Sequence, residues 1–306
     1  MLGNVIIDDK LMLSQGVLFK GMCGRISSFA YVMLKVELTE NKYFTWIEET
    51  NLEYDLMLGD DSDSLFSSNL LEEFTNGLWE INYFYSFENF YRANKTGNPT
   101  IGIDMAFTKN VRCFDNHLSQ QYPSDKINPF CVNLNQYRGI TVQNYCYKFP
   151  FSTLMLIMSI YDIPMPKNDI GKEIILAVDS SFKGFYTKSS FFKKIYTDWL
   201  ELLGFTSLID VLEKRSISYF KELQDYFNLN EKIIIDDNGY LKTDIDFKGI
   251  QPYLDWHIGI SDHKFKLVKH CIRDGHALGN KEIPDRSQLI SLAYTSKNYV
   301  SYTYQE

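Results

Sequence analysis

Residues 190–227, SFFKKIYTDWLELLGFTSLIDVLEKRSISYFKELQDYF, and residues 232–247, KIIIDDNGYLKTDIDF, decide the fold class. In the first stretch Phe192, Ile195, Trp199 and Leu202 recur at helical spacing between a cap at Ser190 and Gly204, a residue type that commonly ends helices. Thr206 caps a second run with Ile209, Leu212, Phe220, Leu223 and Phe227 inward, so the spacing predicts an αα-hairpin. The second stretch is short, β-branched and split by Asn238-Gly239, which predicts a β-hairpin with a type I′ turn. A helical hairpin next to a β-hairpin predicts an α+β fold.

Working outward, the first 150 residues read as β-rich and residues 151–306 as a mixed α/β half, with a domain boundary expected near 150–168, where Pro164 and Pro166 stop a helix capped at Ser152. Strands are expected over residues 28–38, 42–48, 100–107 and 139–149, and a helix capped at Ser67 or Ser68 with Leu70, Leu71, Phe74, Leu78 and Ile81 inward. Residues 108–138 are polar and proline-punctuated, an irregular excursion. Further on, EIILAVDS (Glu173 to Ser180) has the length and apolarity of a buried strand. A helix is expected from Ser261 to Arg273, capped by Gly275, and two strands close the chain around 288–304.

A chain of 306 residues with 45% hydrophobic and 23% charged side chains buries a full core. The net charge of −8 argues against an extended duplex nucleic-acid surface, which needs a broad basic face. No apolar run approaches the roughly 20 residues that span a bilayer, and MLGNVIIDDK lacks the basic and apolar segments of a secretory signal. Five cysteines without a CxxC pair read as reduced thiols, which together with the missing signal predicts a cytoplasmic protein. Cys23, in the segment Met22-Cys23-Gly24-Arg25, is expected to be a buried thiol. Lysine outnumbers arginine 24 to 7, a skew of AT-rich codon usage that suggests a low-GC genome and a phage or mobile element.

Four of the five histidines, His257, His263, His270 and His276, fall in one window. On the expected helix His263 and His270 share a face, beside a basic strip of Lys266, Lys269 and Arg273 that would meet an anion more strongly in mildly acidic solution. Asp104 and Asp179 each follow an apolar run, IGID and LAVD, at the strand-end position where carboxylates hold divalent metals or move protons. Residues 48–63 carry Glu48, Glu49, Glu53, Asp55, Asp60, Asp61 and Asp63 with no lysine or arginine, an acidic ridge suited to a basic partner surface.

No dinucleotide, P-loop, hydrolase-elbow or zincin motif occurs. The leading expectation is therefore a regulatory protein without a cofactor that binds another protein through its acidic and aromatic surface, as a homo-oligomer, and modulates a host system. The alternative is a divalent-metal-dependent phosphoester hydrolase using Asp104, Asp179, His263 and His270.

Overall fold

The strand β1 (Tyr54–Leu58), YDLML, is buried at all five positions because it runs through the middle of a sheet covered on both faces. It belongs to a computed structural model that describes residues 40–305 together with residues 34, 35, 37 and 38. With α1 (Ser62–Phe74) and β2 (Trp79–Tyr85) it forms a parallel βαβ unit. After β2 the antiparallel β3 (Asn89–Arg92) turns back, and the chain crosses to the other side of β1. There β4 (Thr100–Ile103), β5 (Arg112–Phe114) and β6 (Cys131–Val132) add in parallel, one after another.

With β7 (Ile234–Ile235) and β8 (Leu241–Lys242) forming a separate small hairpin, β9 (Lys266–His270) completes the far edge of the main sheet, whose order is β6-β5-β4-β1-β2-β3-β9. Successive strands move outward in opposite directions from β1 and β4. The carboxyl ends of those two strands flank the switch point, the place where open sheets of this kind form a crevice and bind ligands.

On one face α1 packs against α2 (Thr153–Ile160), an eight-residue helix buried at every position. The other face, through Met57, Tyr85 and Cys113, meets Phe107 and Ile290. Ile290 belongs to β11 (Leu289–Ser296), which with β10 (Ile272–Ala277) and β12 (Tyr299–Tyr304) makes a three-stranded antiparallel sheet. The helices α3 (Asp169–Ala177), α4 (Ser190–Leu203), α5 (Ser207–Lys214) and α6 (Ile217–Tyr226) follow α2. The chain has an α+β fold, with the αα-hairpin at α4 and α5 and Gly204 in the left-handed conformation between them (φ 81°). One apolar core reaches from Leu34 to Tyr302, and β9 carries the second half of the chain into the sheet of the first. No helix among the described residues is long and apolar enough to cross a membrane.

Several local expectations are corrected. EIILAVDS forms α3 and a following 3-10 turn because Asn168 caps it, its side chain accepting from the Gly171 N–H at 2.6 Å, and its apolar positions bury against neighbouring helices. The expected 261–273 helix is instead β9 and β10, since Lys266–His270 extends the open edge of β3. Thr45–Glu48 and Val142–Tyr147 are 3-10 turns rather than strands; the expected 28–38 strand lies largely outside the described residues, its described residues 34, 35, 37 and 38 being helical, and Cys23 lies outside them. The helix expected to start at Ser67 or Ser68 starts six or so residues earlier, capped by Asp61, and ends at Phe74, so that Ile81 lies in β2. One helix expected after Thr206 is two, broken at Ser216, whose side chain caps α6. In the hairpin of β7 and β8 only Gly239 of the Asn-Gly pair has positive φ (90°), so the turn is a type I turn followed by a glycine bulge.

Candidate active site

Three neighbouring strand ends deliver carboxylates to the crevice. Beyond β1 the Gly59 N–H donates to Ser64 Oγ at 2.6 Å, and that hydroxyl donates to the Ile103 carbonyl at 2.7 Å, which ties the loop after β1 to the end of β4. Asp61 caps α1 through the Ser64 N–H, and Asp63, one residue into the helix, is buried. Its two oxygens accept from the Thr153 and Leu154 N–H groups at 2.7 and 2.9 Å, so this carboxylate sits on the amino end of α2, where a helix dipole favours negative charge.

Asp104 follows β4 and is buried, with its N–H on the Phe114 carbonyl and its Oδ1 accepting from the Thr153 hydroxyl at 2.7 Å. Asp115 follows β5 and is fully buried; its Oδ1 lies 2.8 Å from His117 Nδ1 and its Oδ2 accepts from Asn133 Nδ2 at 2.6 Å. His117 Nδ1 is also 3.6 Å from Asp104 Oδ1. One ligand atom each from Asp104, Asp115 and His117 lies within 4.8 Å of the others, a spacing that fits a single metal ion. Asn116 Nδ2 donates to Asp179 Oδ2 at 2.9 Å and lies 3.4 Å from Asp63 Oδ2, which brings Asp179, from the turn after α3, to the same place.

Asp104 and Asp179 both occupy the left-handed backbone region, at φ 60° and 51°, a conformation that Asp and Asn tolerate better than most residues. Holding these carboxyl groups at their places is thus part of the backbone design of the crevice.

Burial and like charge dominate the electrostatics of the site. Burial pushes the carboxyl pKa of Asp63 well above the ordinary range, with Asp179 adding repulsion; burial and then Asp63 do the same to Asp104. Burial opposes charge on His117, yet Asp104 and Asp115 outweigh it and push the imidazole up to about 10. Asp63 and Asp104 therefore carry charge only against the cost of burial and of the neighbouring carboxylates, a cost that a bound cation would offset. In His117, Nδ1 is the ring nitrogen that the structure places against both Asp104 and Asp115, and it would bind a metal only after losing its proton.

The structure thus brings together two of the four residues expected for a hydrolase, Asp104 and Asp179. His263 and His270 lie elsewhere. His263 Nε2 is 3.5 Å from Glu80, at the opposite end of β2 from the crevice, and His270 Nδ1 contacts Asn89 on the edge of the sheet. Five strand spacings separate β9 from β5, roughly 24 Å.

The acidic run 48–63 does not form one ridge. Asp55, Asp60 and Asp63 are buried, Glu49 and Asp61 half-buried, and Glu48 and Glu53 exposed. Asp55 accepts from Asn82 and Thr96 at 2.9 and 2.6 Å, a lock between strands. Asp60 pairs with Lys232 at 2.8 Å and lies 4.0 Å from Arg273, whose guanidinium covers the Phe87 ring. Lys266 and Lys269 stand on the edge strand β9.

Sequence reasoning missed Asp115, Asn116 and His117. Their signal was the Asp-Asn-His triplet directly after the short apolar run of β5, inside a stretch whose prolines and polar residues read as irregular. No protein-family model, curated protein or solved structure matches this chain.

Proposed function

We propose that this protein is a divalent-metal-dependent phosphoester hydrolase, with its ion held by Asp104, Asp115 and His117. The observation that carries the reading is the convergence of those three ligand atoms within 4.8 Å at the switch point of a mostly parallel sheet. A set of carboxylate oxygens and one imidazole suits Mg²⁺, Mn²⁺ or a similar ion better than a thiolate-seeking metal. Such an ion lowers the pKa of bound water and offsets charge developing on a phosphoryl oxygen.

This chain's own residues supply the rest. Asn133 holds Asp115, Thr153 orients Asp104, and Asn116 brings the carboxyl groups of Asp63 and Asp179 beside them. A serine nucleophile fits less well, since Ser64 is buried with its hydroxyl engaged on Gly59 and Ile103, and Ser67 and Ser68 are buried too. The test is metal analysis of the purified protein and hydrolysis of a panel of phosphomonoesters, phosphodiesters and nucleotides after chelation and readdition of Mn²⁺ or Mg²⁺. Stoichiometric binding with metal-dependent turnover that Asp115→Asn abolishes is expected. A protein that binds neither ion and turns over no member of the panel would sink the reading.

Partner binding is the second reading. Its support is the exposed edge strand β9, with Leu267 and Val268 facing solvent beside Lys266. It ranks below the hydrolase because the acidic side chains meant to steer that partner are in large part buried.

A further inference from the structure

Cys113 and Cys131 are register partners on the neighbouring parallel strands β5 and β6, so both side chains leave the same face of the sheet. Both are buried, in the apolar cluster that also holds Met57, Tyr85, Phe107 and Ile290. The ladder runs on past them: the Cys113 N–H bonds the Phe130 carbonyl at 3.3 Å and the Asp115 N–H bonds the Val132 carbonyl at 3.2 Å. With a side-chain period of two, Asp115 and Asn133 form the next pair on that face. Asn133 Nδ2 donates to Asp115 Oδ2 at 2.6 Å, which shows that side chains of this row meet across the two strands. Asn128 Nδ2 lies 3.5 Å from Cys113 Sγ and gives that sulfur a donor.

A small buried hydrophobe needs no second cysteine opposite it, whereas a disulfide does. Neighbouring strands lie about 4.8 Å apart, inside the Cα separation of about 4.4 to 6.8 Å that a disulfide spans, but the Cβ atoms must close to about 3.8 Å. A bond between these sulfurs therefore draws β5 and β6 together by roughly 1 Å. Strain of this kind makes a disulfide easy to reduce, which is the property of regulatory rather than structural ones. Burial pushes the Cys131 thiol well up, so the pair reacts when the edge of the sheet opens. The two-residue β6 is that edge, and among the described strands it pairs with β5 alone.

We propose that Cys113 and Cys131 are a redox pair that switches the neighbouring centre. The oxidant is a small-molecule disulfide. One cysteine thiolate attacks it, releasing one thiol of the oxidant and leaving a mixed disulfide; the second cysteine thiolate attacks that bond and releases the other. Two protein thiols are oxidised to one disulfide, the oxidant is reduced to two thiols, and the protons lost by the protein end on them. Closing this row displaces the Asp115 carboxylate from Asn133, so the disulfide form binds metal more weakly. The effect on metal rests on the hydrolase reading; formation of the disulfide does not.

The experiment uses the full chain as wild type, Cys131→Ala and Cys113→Ala, neither variant being able to form the bond. Each is equilibrated with reduced and oxidised glutathione in varied ratio, quenched by alkylation in acid and mapped by peptide mass spectrometry; Mn²⁺ is then titrated calorimetrically into reduced and oxidised protein. Expected are a Cys113–Cys131 disulfide in oxidised wild type that dithiothreitol reverses, and Mn²⁺ affinity lower by at least about tenfold in that form, the lower end of the usual cost of disturbing a partner of a metal ligand. Whichever alanine variant folds should keep the affinity of its reduced form under the same oxidant. Cys113 and Cys131 that stay thiols, or that take up glutathione separately, overturn the proposal and leave the hydrolase reading standing. A disulfide that leaves Mn²⁺ affinity unchanged overturns the switch, as does an equal loss of affinity in the oxidised alanine variants, which assigns the effect to another thiol. Reduced wild type that takes up no Mn²⁺ ends both the switch and the hydrolase reading.

Discussion

The crevice beyond β1, β4 and β5 and the histidine window of residues 257–276 are two regions with opposite histories in sequence and in space. Asp63, Asp104, Asp115, His117 and Asp179 are spread over more than a hundred positions, and a parallel sheet gathers them. His257, His263, His270 and His276 lie within twenty positions, and extended chain disperses them: His263 to Glu80, His270 to Asn89, His276 to Tyr302. The lesson concerns geometry. Parallel strands all deliver their following residue to one edge of the sheet, so single residues from distant strands meet, whereas a strand such as β9 carries its side chains away along some 3.3 Å per residue.

The sharpest way to break this comparison is to exchange the two regions' expected roles. Asp115→Asn and, separately, His117→Gln should weaken Mn²⁺ binding at least about a hundredfold and remove phosphoester hydrolysis, measured by calorimetry and by phosphate release. The double variant His263→Gln/His270→Gln should leave both within about twofold, as neither ring approaches the crevice. If the double variant loses metal and His117→Gln does not, the site has been assigned to the wrong region.

A second test asks whether the crevice is built for a cation at the expense of the empty protein. Asp104→Asn keeps the acceptor for Thr153 and suits the positive φ, while removing a buried charge next to Asp63. Without metal this variant should melt above wild type. The folded Asp104 holds its proton to higher pH than the unfolded carboxyl, so the wild type binds more protons folded than unfolded and loses stability as pH rises from about 4. The advantage of the variant should therefore widen from that pH upward, followed by thermal melts across a pH series. Adding Mn²⁺ should reverse the order, because a ligand at a hundred times its dissociation constant stabilises by about 2.7 kcal/mol and the variant lacks one of the three binding groups.

Asp55 and Asp63 offer a narrower contrast, two buried acids at the start of β1 and the start of α1. Asp55→Ala should cost about 1 to 3 kcal/mol in denaturant unfolding, since Asn82 and Thr96 lose their acceptor, with Mn²⁺ affinity unchanged. The smallest effect is expected at the exposed remnant of the acidic run. Glu53→Gln should stay within about 0.5 kcal/mol in the same measurement and leave metal binding alone.

Much of the helical second half could be read from local rules: the Ser152 cap and apolar run of α2, the helical spacing of α4 with Gly204 ending it, and the closing strands β11 and β12. Asp104 was legible because it ends a run of strand length, and the same reasoning picked Asp179 for a reason that proved wrong: it follows a helix, not a strand. Errors gathered where composition suits two structures. EIILAVDS is apolar enough for either a buried strand or a buried helix, and the Asn168 cap with helical neighbours decided it. KLVKH had the polarity of an amphipathic helix, and the open edge of β3 made it a strand.

The amino-acid sequence by itself determined the class of the fold, the positions of its most periodic helices and the presence of acids after apolar runs, because caps, turns and burial periodicity act over a few residues. Which acids meet, and that His117 joins them while His263 and His270 do not, only the tertiary structure decided. That choice depends on strand order and on the crossing from β3 to β4, contacts between segments far apart in the chain whose pairing no local pattern encodes.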